Sequence, residues 1–218
     1  VLEKKRFNDK GNQKLQQLAY IKLNKSETKD MLPLLEESLD LKDLDAGSID
    51  ILSASLKFYP GYRLFEITDR SASPVKKRFV IYKRDTIQTI DYTNSPIYDL
   101  NKKAPINLTK DTLFDYIRFF FTFVRGRHGR FIVVESTDDI QWREEPAVSL
   151  RRDLNGLIEP LVLKEITSDG SYVVGAKVIF KDALFACNVN IKQNGIVRLS
   201  NQKLLAENLP VIDDILGV

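Results

Sequence analysis

Residues 109–125 read TKDTLFDYIRFFFTFVR, and this stretch decides the fold. Thr109 is a good N-cap residue, Asp111 sits in a first turn where the helix dipole favours a carboxylate, and Gly126 supplies a stop. A helix is therefore predicted over Thr109–Arg125. Leu113, Phe114, Tyr116, Ile117, Phe119, Phe120, Phe121, Phe123 and Val124 cover most of its circumference. A helix so apolar has to be buried on nearly all sides. One narrow polar stripe escapes, in which Asp111, Asp115, Arg118, Thr122 and Arg125 follow at four- and three-residue steps. This predicts a solvent-facing seam where Asp115 and Arg118 pair across one turn.

What surrounds such a helix must be apolar, and strands supply it on both sides in the chain. From about Ile49 the pattern turns to β: Tyr62–Thr68 follows the Pro60-Gly61 turn, and Arg78–Lys83 with Thr86–Tyr92 reads as a hairpin about Arg84-Asp85. Asn94-Ser95-Pro96 then opens a predicted loop to Pro105. After Gly126 come a strand at Phe131–Glu135, a polar loop holding the single Trp142, and a short helix over Ala147–Leu157. Leu161–Thr167, Tyr172–Phe180, Leu184–Lys192 and Ile196–Leu199 are strands divided by Asp169-Gly170, Lys181-Asp182 and Asn194-Gly195, the signature of an antiparallel meander. The fold class is thus α+β: a long buried aromatic helix packed on a curled antiparallel sheet, in the order of cystatin-like or NTF2-like domains.

Residues 1–46 read as an N-terminal helical extension, with 47–218 as a single α+β domain. Leu15, Leu18, Ala19 and Leu23 recur at helix spacing, and Met31–Leu39 follows Asp30 as N-cap, with Pro33 placed in the first turn. Asp40, Asp43 and Asp45 lead to Ala46-Gly47 as the boundary. The net charge of +3 hides an uneven distribution. Residues 1–29 carry eight basic and three acidic groups, whereas 30–50 carry one basic and seven acidic. The arm is dipolar, a candidate for homo-oligomer assembly.

One Cys and one His exclude a disulfide framework, a Cys-rich zinc site and a histidine cluster within one chain. No cofactor or metal is expected. Motifs for a nucleophile elbow, a P-loop, a dinucleotide fold or a zinc protease are missing. The start of the chain lacks the long apolar core of a secretory signal and no run spans a membrane, so a cytoplasmic protein with no membrane contact is expected.

The most distinctive polar stretch is RGRHGR, Arg125–Arg130. Three arginines and the one histidine lie within six residues, and two glycines let the backbone turn tightly. Arginine forks suit carboxylate or phosphate, so Arg118, Arg125, Arg127, His128 and Arg130 are the candidate ligand-binding residues. At a helix C-terminus the same cations would also serve to offset the dipole. His128 could act as general acid or base with Asp138, Asp139 and Tyr116 around an apolar pocket. Its arginine neighbours suit holding an anion better than moving a proton. Cys187 shares a strand face with Phe185, Val189 and Ile191 and reads as core. Lys76-Lys77-Arg78 and Lys83-Arg84 flank the strand FVIY near Tyr92 and Tyr98. Without an RNA-binding motif and with so small a net charge, this basic run argues weakly for nucleic acid.

The blocks YPGYRL (Tyr59–Leu64), FFFTFVRGRHGRF (Phe119–Phe131), DALF (Asp182–Phe185) and LPVID (Leu209–Asp213) resemble an uncharacterised bacterial protein group over about residues 57–213. The resemblance implies a bacterial source and a compact domain, and it carries no activity or functional residue. The expectation is a non-enzymatic domain that binds a protein partner or small anionic ligand through an arginine rim. An NTF2-like hydrolase or isomerase using His128 is the alternative.

Overall fold

A computed structural model describes residues 18–39, 44–84 and 86–212. Its first sheet is antiparallel and follows chain order: β1 (Ile21–Lys22), β2 (Ile49–Ser55), β3 (Arg63–Asp69), β4 (Lys76–Lys83) and β5 (Thr86–Thr89). Between β1 and β2 runs α1 (Lys25–Leu39). It begins five residues before the expected Met31–Leu39 helix would be capped, because Asn24 and Glu27 form a reciprocal capping box. Asn24 Oδ1 accepts the N–H groups of Ser26 (2.9 Å) and Glu27 (3.0 Å), and Glu27 Oε2 accepts that of Asn24 (2.8 Å). Pro33 therefore lies in the third turn, well inside the helix. The helix expected around Leu18–Leu23 is absent: Leu18–Tyr20 is irregular, and Ile21 and Lys22 pair with Ser53 and Leu52. Leu15, Asp40 and Asp43 lie outside the described residues. Leu32 and Leu35 of α1 cover one face of the sheet, packing on Ile49, Ile51, Phe65, Ile67 and Val80.

The opposite face, with Leu64, Phe79 and Ile81, belongs to the main core. Next come α2 (Ser95–Lys103) and α3 (Leu113–Phe123). The stretch expected to be a loop is helical because Pro96 falls in the first turn, where its missing N–H costs nothing, and Ile97 and Leu100 then share a buried face. The aromatic helix is shorter than expected at both ends. Thr112, not Thr109, precedes its first turn; the Thr112 hydroxyl donates to the Asn107 carbonyl (2.6 Å) and accepts the Thr109 N–H (2.9 Å). At the other end Val124 is already extended, and the chain runs straight into a strand.

The second sheet contains β6 (Arg125–Gly126), β7 (Gly129–Val134), β8 (Val162–Ile166), β9 (Tyr172–Phe180), β10 (Ala183–Ile191) and β11 (Val197–Ala206), with α4 (Val148–Asn155) between β7 and β8. Its order is β11–β10–β9–β7–β6, and β8 also pairs with β9. The α+β class and the C-terminal meander agree with the sequence reading. The curled sheet does not: two separate sheets contribute Leu64, Phe79 and Ile81 from one side and Val174, Ala176, Val178, Cys187, Val189 and Ile191 from the other to a single core with α3. Phe79 and Phe123 meet at 4.9 Å between ring centres. Two apolar sheet faces satisfy a helix that is apolar on nearly every side, so no one sheet has to bend around it. Beyond the second sheet, Leu154 of α4 packs on Ile132, Val134, Ile179 and Leu184.

Candidate functional site

The arginine stretch is a β-hairpin. Arg125 pairs with Arg130 and Gly126 with Gly129, leaving Arg127 and His128 as a two-residue loop. It does not cap a helix, because the chain has become extended one residue earlier, at Val124. Gly129 takes φ +137°, a backbone that a side-chain-bearing residue rarely adopts. This geometry sorts the candidates. Arg127 and His128 are exposed at the tip, Arg125 is half-buried, and Arg130 keeps only 5% of its surface.

Arg125 is held by Tyr92. Its backbone N–H donates to the Tyr92 carbonyl (2.9 Å), and its guanidinium lies over the Tyr92 ring, 4.7 Å from the centre. Burial pushes the Tyr92 hydroxyl above its ordinary pKa, the charges of Arg125 and Arg130 draw it back, and Glu66 pushes it up. Tyr92 itself has φ +62°, a left-handed conformation that costs an L-residue about 1–2 kcal/mol. Strain of this kind in a bulky residue marks places that packing over-determines, and these cluster at functional sites.

Tyr92 also stands on the lip of a depression of about 430 Å³. Lys77, Arg78 and Phe79 of β4 form one wall, Thr89 and Ile90 the end of β5, and Ser38 and Leu39 the end of α1. Lys77 is held at 2.9 Å by Glu66, a carboxylate almost wholly buried on β3. Sequence reading missed Glu66; the available signal was a lone acid inside the strand YRLFEIT, flanked by Phe65 and Ile67. It also treated Lys76–Arg78 as separate from the arginine hairpin, since only the crossover at Tyr92 brings them together.

Arg118 is not part of this surface. Its fork grips Glu135 at the end of β7 through Nε (2.6 Å) and Nη2 (3.0 Å), and Nη1 reaches Asp115 at 3.2 Å. The predicted Asp115–Arg118 pair is present, but the seam is only partly open to solvent, with the Arg118 side chain 18% exposed. The residues of the alternative enzymatic reading are also occupied elsewhere. Asp139 accepts the N–H groups of Glu135 (2.8 Å) and Ser136 (2.9 Å), and Asp138 pairs with Arg151 (3.2 Å). Tyr116 is buried, donating to the Gly195 carbonyl (2.6 Å) and accepting from Asn101 (3.2 Å). Nothing among the described residues joins His128 to any of the three.

Cys187 is buried and its thiol is pushed up to about 11, chiefly by that burial. Among the described residues no group of three His, Cys, Asp or Glu side chains is arranged to hold a metal, and no helix is long and apolar enough to cross a membrane. No family model matches the chain, nor does any curated protein or solved structure. The functional reading therefore rests on the geometry of the site.

Proposed function

We propose that the protein is a non-enzymatic binding domain that takes an anionic group, carboxylate or phosphate, where the β6–β7 hairpin meets Tyr92 and the basic end of β4. The observation that carries this reading is Tyr92. It is held in a strained conformation, with Arg125 stacked on its ring, on the lip of the depression that Lys77 and Arg78 line. Glu66 offsets Lys77, which leaves Arg78 as the depression's cation for the ligand, with Arg127, exposed at the hairpin tip, as a second. A cystatin-like or NTF2-like layout would instead offer a cavity inside one curled sheet. With α3 against two sheets, the ligand is taken at the surface. Binding is favoured over the His128 enzyme because, among the described residues, no carboxylate is bonded to the exposed imidazole.

The test is calorimetric titration with inorganic phosphate and with citrate at low salt. Saturable heat is expected with at least one of them, reduced at least tenfold by Arg78→Ala with Arg127→Ala and by raised ionic strength. No saturable heat with either probe overturns the reading.

A further inference from the structure

We infer that the anion belongs to an extended acidic segment of a partner protein, which adds as a strand along the open edge of β4 at Val75–Phe79. This deepens the reading above and rests on it. β4 and β5 are unequal in length, at eight and four residues. β5 pairs only with Val80–Lys83, and one further bond, from the Ile90 N–H to the Phe79 carbonyl (3.0 Å), closes the ladder. In an antiparallel strand both backbone groups of a residue point the same way and alternate along the chain. Phe79 faces β5, so Lys77 presents its N–H and C=O groups to the same side, and Val75 precedes the strand by one residue. Among the described residues no strand pairs with them there.

The chain leaves this edge at a built turn. Asp91 Oδ1 accepts both the N–H (2.8 Å) and the hydroxyl (2.7 Å) of Thr93, and Tyr92 between them takes its left-handed conformation. The Tyr92 carbonyl then pairs with Arg125 rather than with β4. The strain at Tyr92 thus keeps β5 short and places an aromatic, arginine-backed wall beside the edge that no described strand pairs.

The chemistry of that edge selects the partner. Val75, Lys76 and Lys77 are exposed, Arg78 half so, and Val75 is an apolar side chain 52% exposed. Side chains alternate, so Lys77 lies on the Tyr92 side of the sheet while Lys76 and Arg78 lie on the α1 side. An added strand with acidic residues on both faces would place carboxylates opposite cations on each, the favourable cross-strand arrangement. Main-chain bonds supply affinity in this mode and side chains supply selectivity. The other long edge, β11, is less suited: its register against β10 shifts at two places and Asn201 turns left-handed within it, devices that blunt an edge.

The experiment uses an acetylated, amidated eight-residue peptide of two Glu-Glu-Thr-Thr repeats, which carries carboxylates on both faces of a strand, the same peptide N-methylated at every residue, and citrate. Each is titrated into the full chain, with amide hydrogen exchange followed at Lys77. The unmodified peptide is expected to bind and to slow Lys77 exchange at least tenfold, and N-methylation to weaken binding at least tenfold. Lys77→Pro, which removes only the outward donor of the backbone, is expected to lose at least tenfold more affinity than Lys77→Thr. If Lys77→Pro fails to fold, the N-methylated peptide on the unaltered protein decides. Citrate binding with equal affinity for both peptides, or with no protection at Lys77, overturns strand addition and leaves a small-anion site standing. No binding of any probe overturns both readings.

Discussion

Replacing Glu135 by Ala separates a cation that holds the fold from cations that would hold a ligand. The Glu135 carboxylate takes two hydrogen bonds from the Arg118 fork and a third from the Leu161 N–H (3.1 Å), so it ties α3 to β7 and to the start of β8. Removing one member of a buried ion pair costs about 3–5 kcal/mol, because the other charge stays buried without compensation. Here the two side chains keep 18% and 17% exposure and Asp115 remains beside Arg118, so a loss of about 2–3 kcal/mol is expected. In a chain of this size each 1 kcal/mol moves the melting temperature by about 2–4 °C, so a fall of about 4–12 °C should appear at pH 7. The pH dependence has a fixed sign. Burial pushes the Glu135 carboxyl up, but hydrogen bonds from Arg118 and Leu161 and the charge of Arg118 outweigh it, and its folded pKa lies below the ordinary value. The pair therefore stabilises the protein fully above the unfolded carboxylate range, and that contribution is lost as pH falls through the lower folded pKa. Urea denaturation of the two proteins at pH 7 and at pH 3 measures the gap, which should narrow in acid. Arg118→Ala should lose similar stability while leaving citrate affinity unchanged. A loss under about 0.5 kcal/mol, the scatter of ordinary surface substitutions, would refute the reasoning, as would a gap that is the same at both pH values.

Three further outcomes are expected. Gly195→Ala should destabilise the protein by about 2–4 kcal/mol in denaturant titration, because φ is +77° there and a Cβ would fall on Asn101 Nδ2 and within 2.8 Å of the Tyr116 hydroxyl. Pro33→Ala should stabilise it by about 1–3 kcal/mol, since an exposed proline in the third turn of α1 costs the helix one hydrogen bond; an unchanged or lower melting temperature would show that the proline is accommodated. Cys187 should react with a thiol reagent at pH 8 only after unfolding, because the buried thiol is pushed up to about 11; rapid labelling of the native protein would contradict its core placement.

Much of this was legible from local pattern. The strands from Arg63 to Thr89 and from Val162 onwards are rich in β-branched and aromatic residues and are divided by turn residues, so their positions could be read without knowing their neighbours. Cys187 was placed in the core by register alone. The errors lie where a short-range signal competed with a longer-range contact. Asn24 and Asp30 both have capping chemistry, and the capping box with Glu27 favours Asn24. Ser95-Pro96 begins a helix as readily as it ends a strand, and the buried face of α2 decides which. Arg125–Gly126 could have closed a helix, but pairing with Gly129–Arg130 draws it into a sheet.

By itself, the sequence determined that α3 had to be buried on nearly every side, because nine apolar residues leave its circumference only a narrow polar stripe. Only the tertiary structure decided how: two sheets meet it from opposite sides, a choice set by strand pairings many residues apart. The same holds for the arginines. Their number and spacing were plain, yet one-dimensional spacing cannot say which partner each fork meets. Folding brings Glu135 to Arg118 and Tyr92 to Arg125, which assigns the first to the framework and the second to the candidate site.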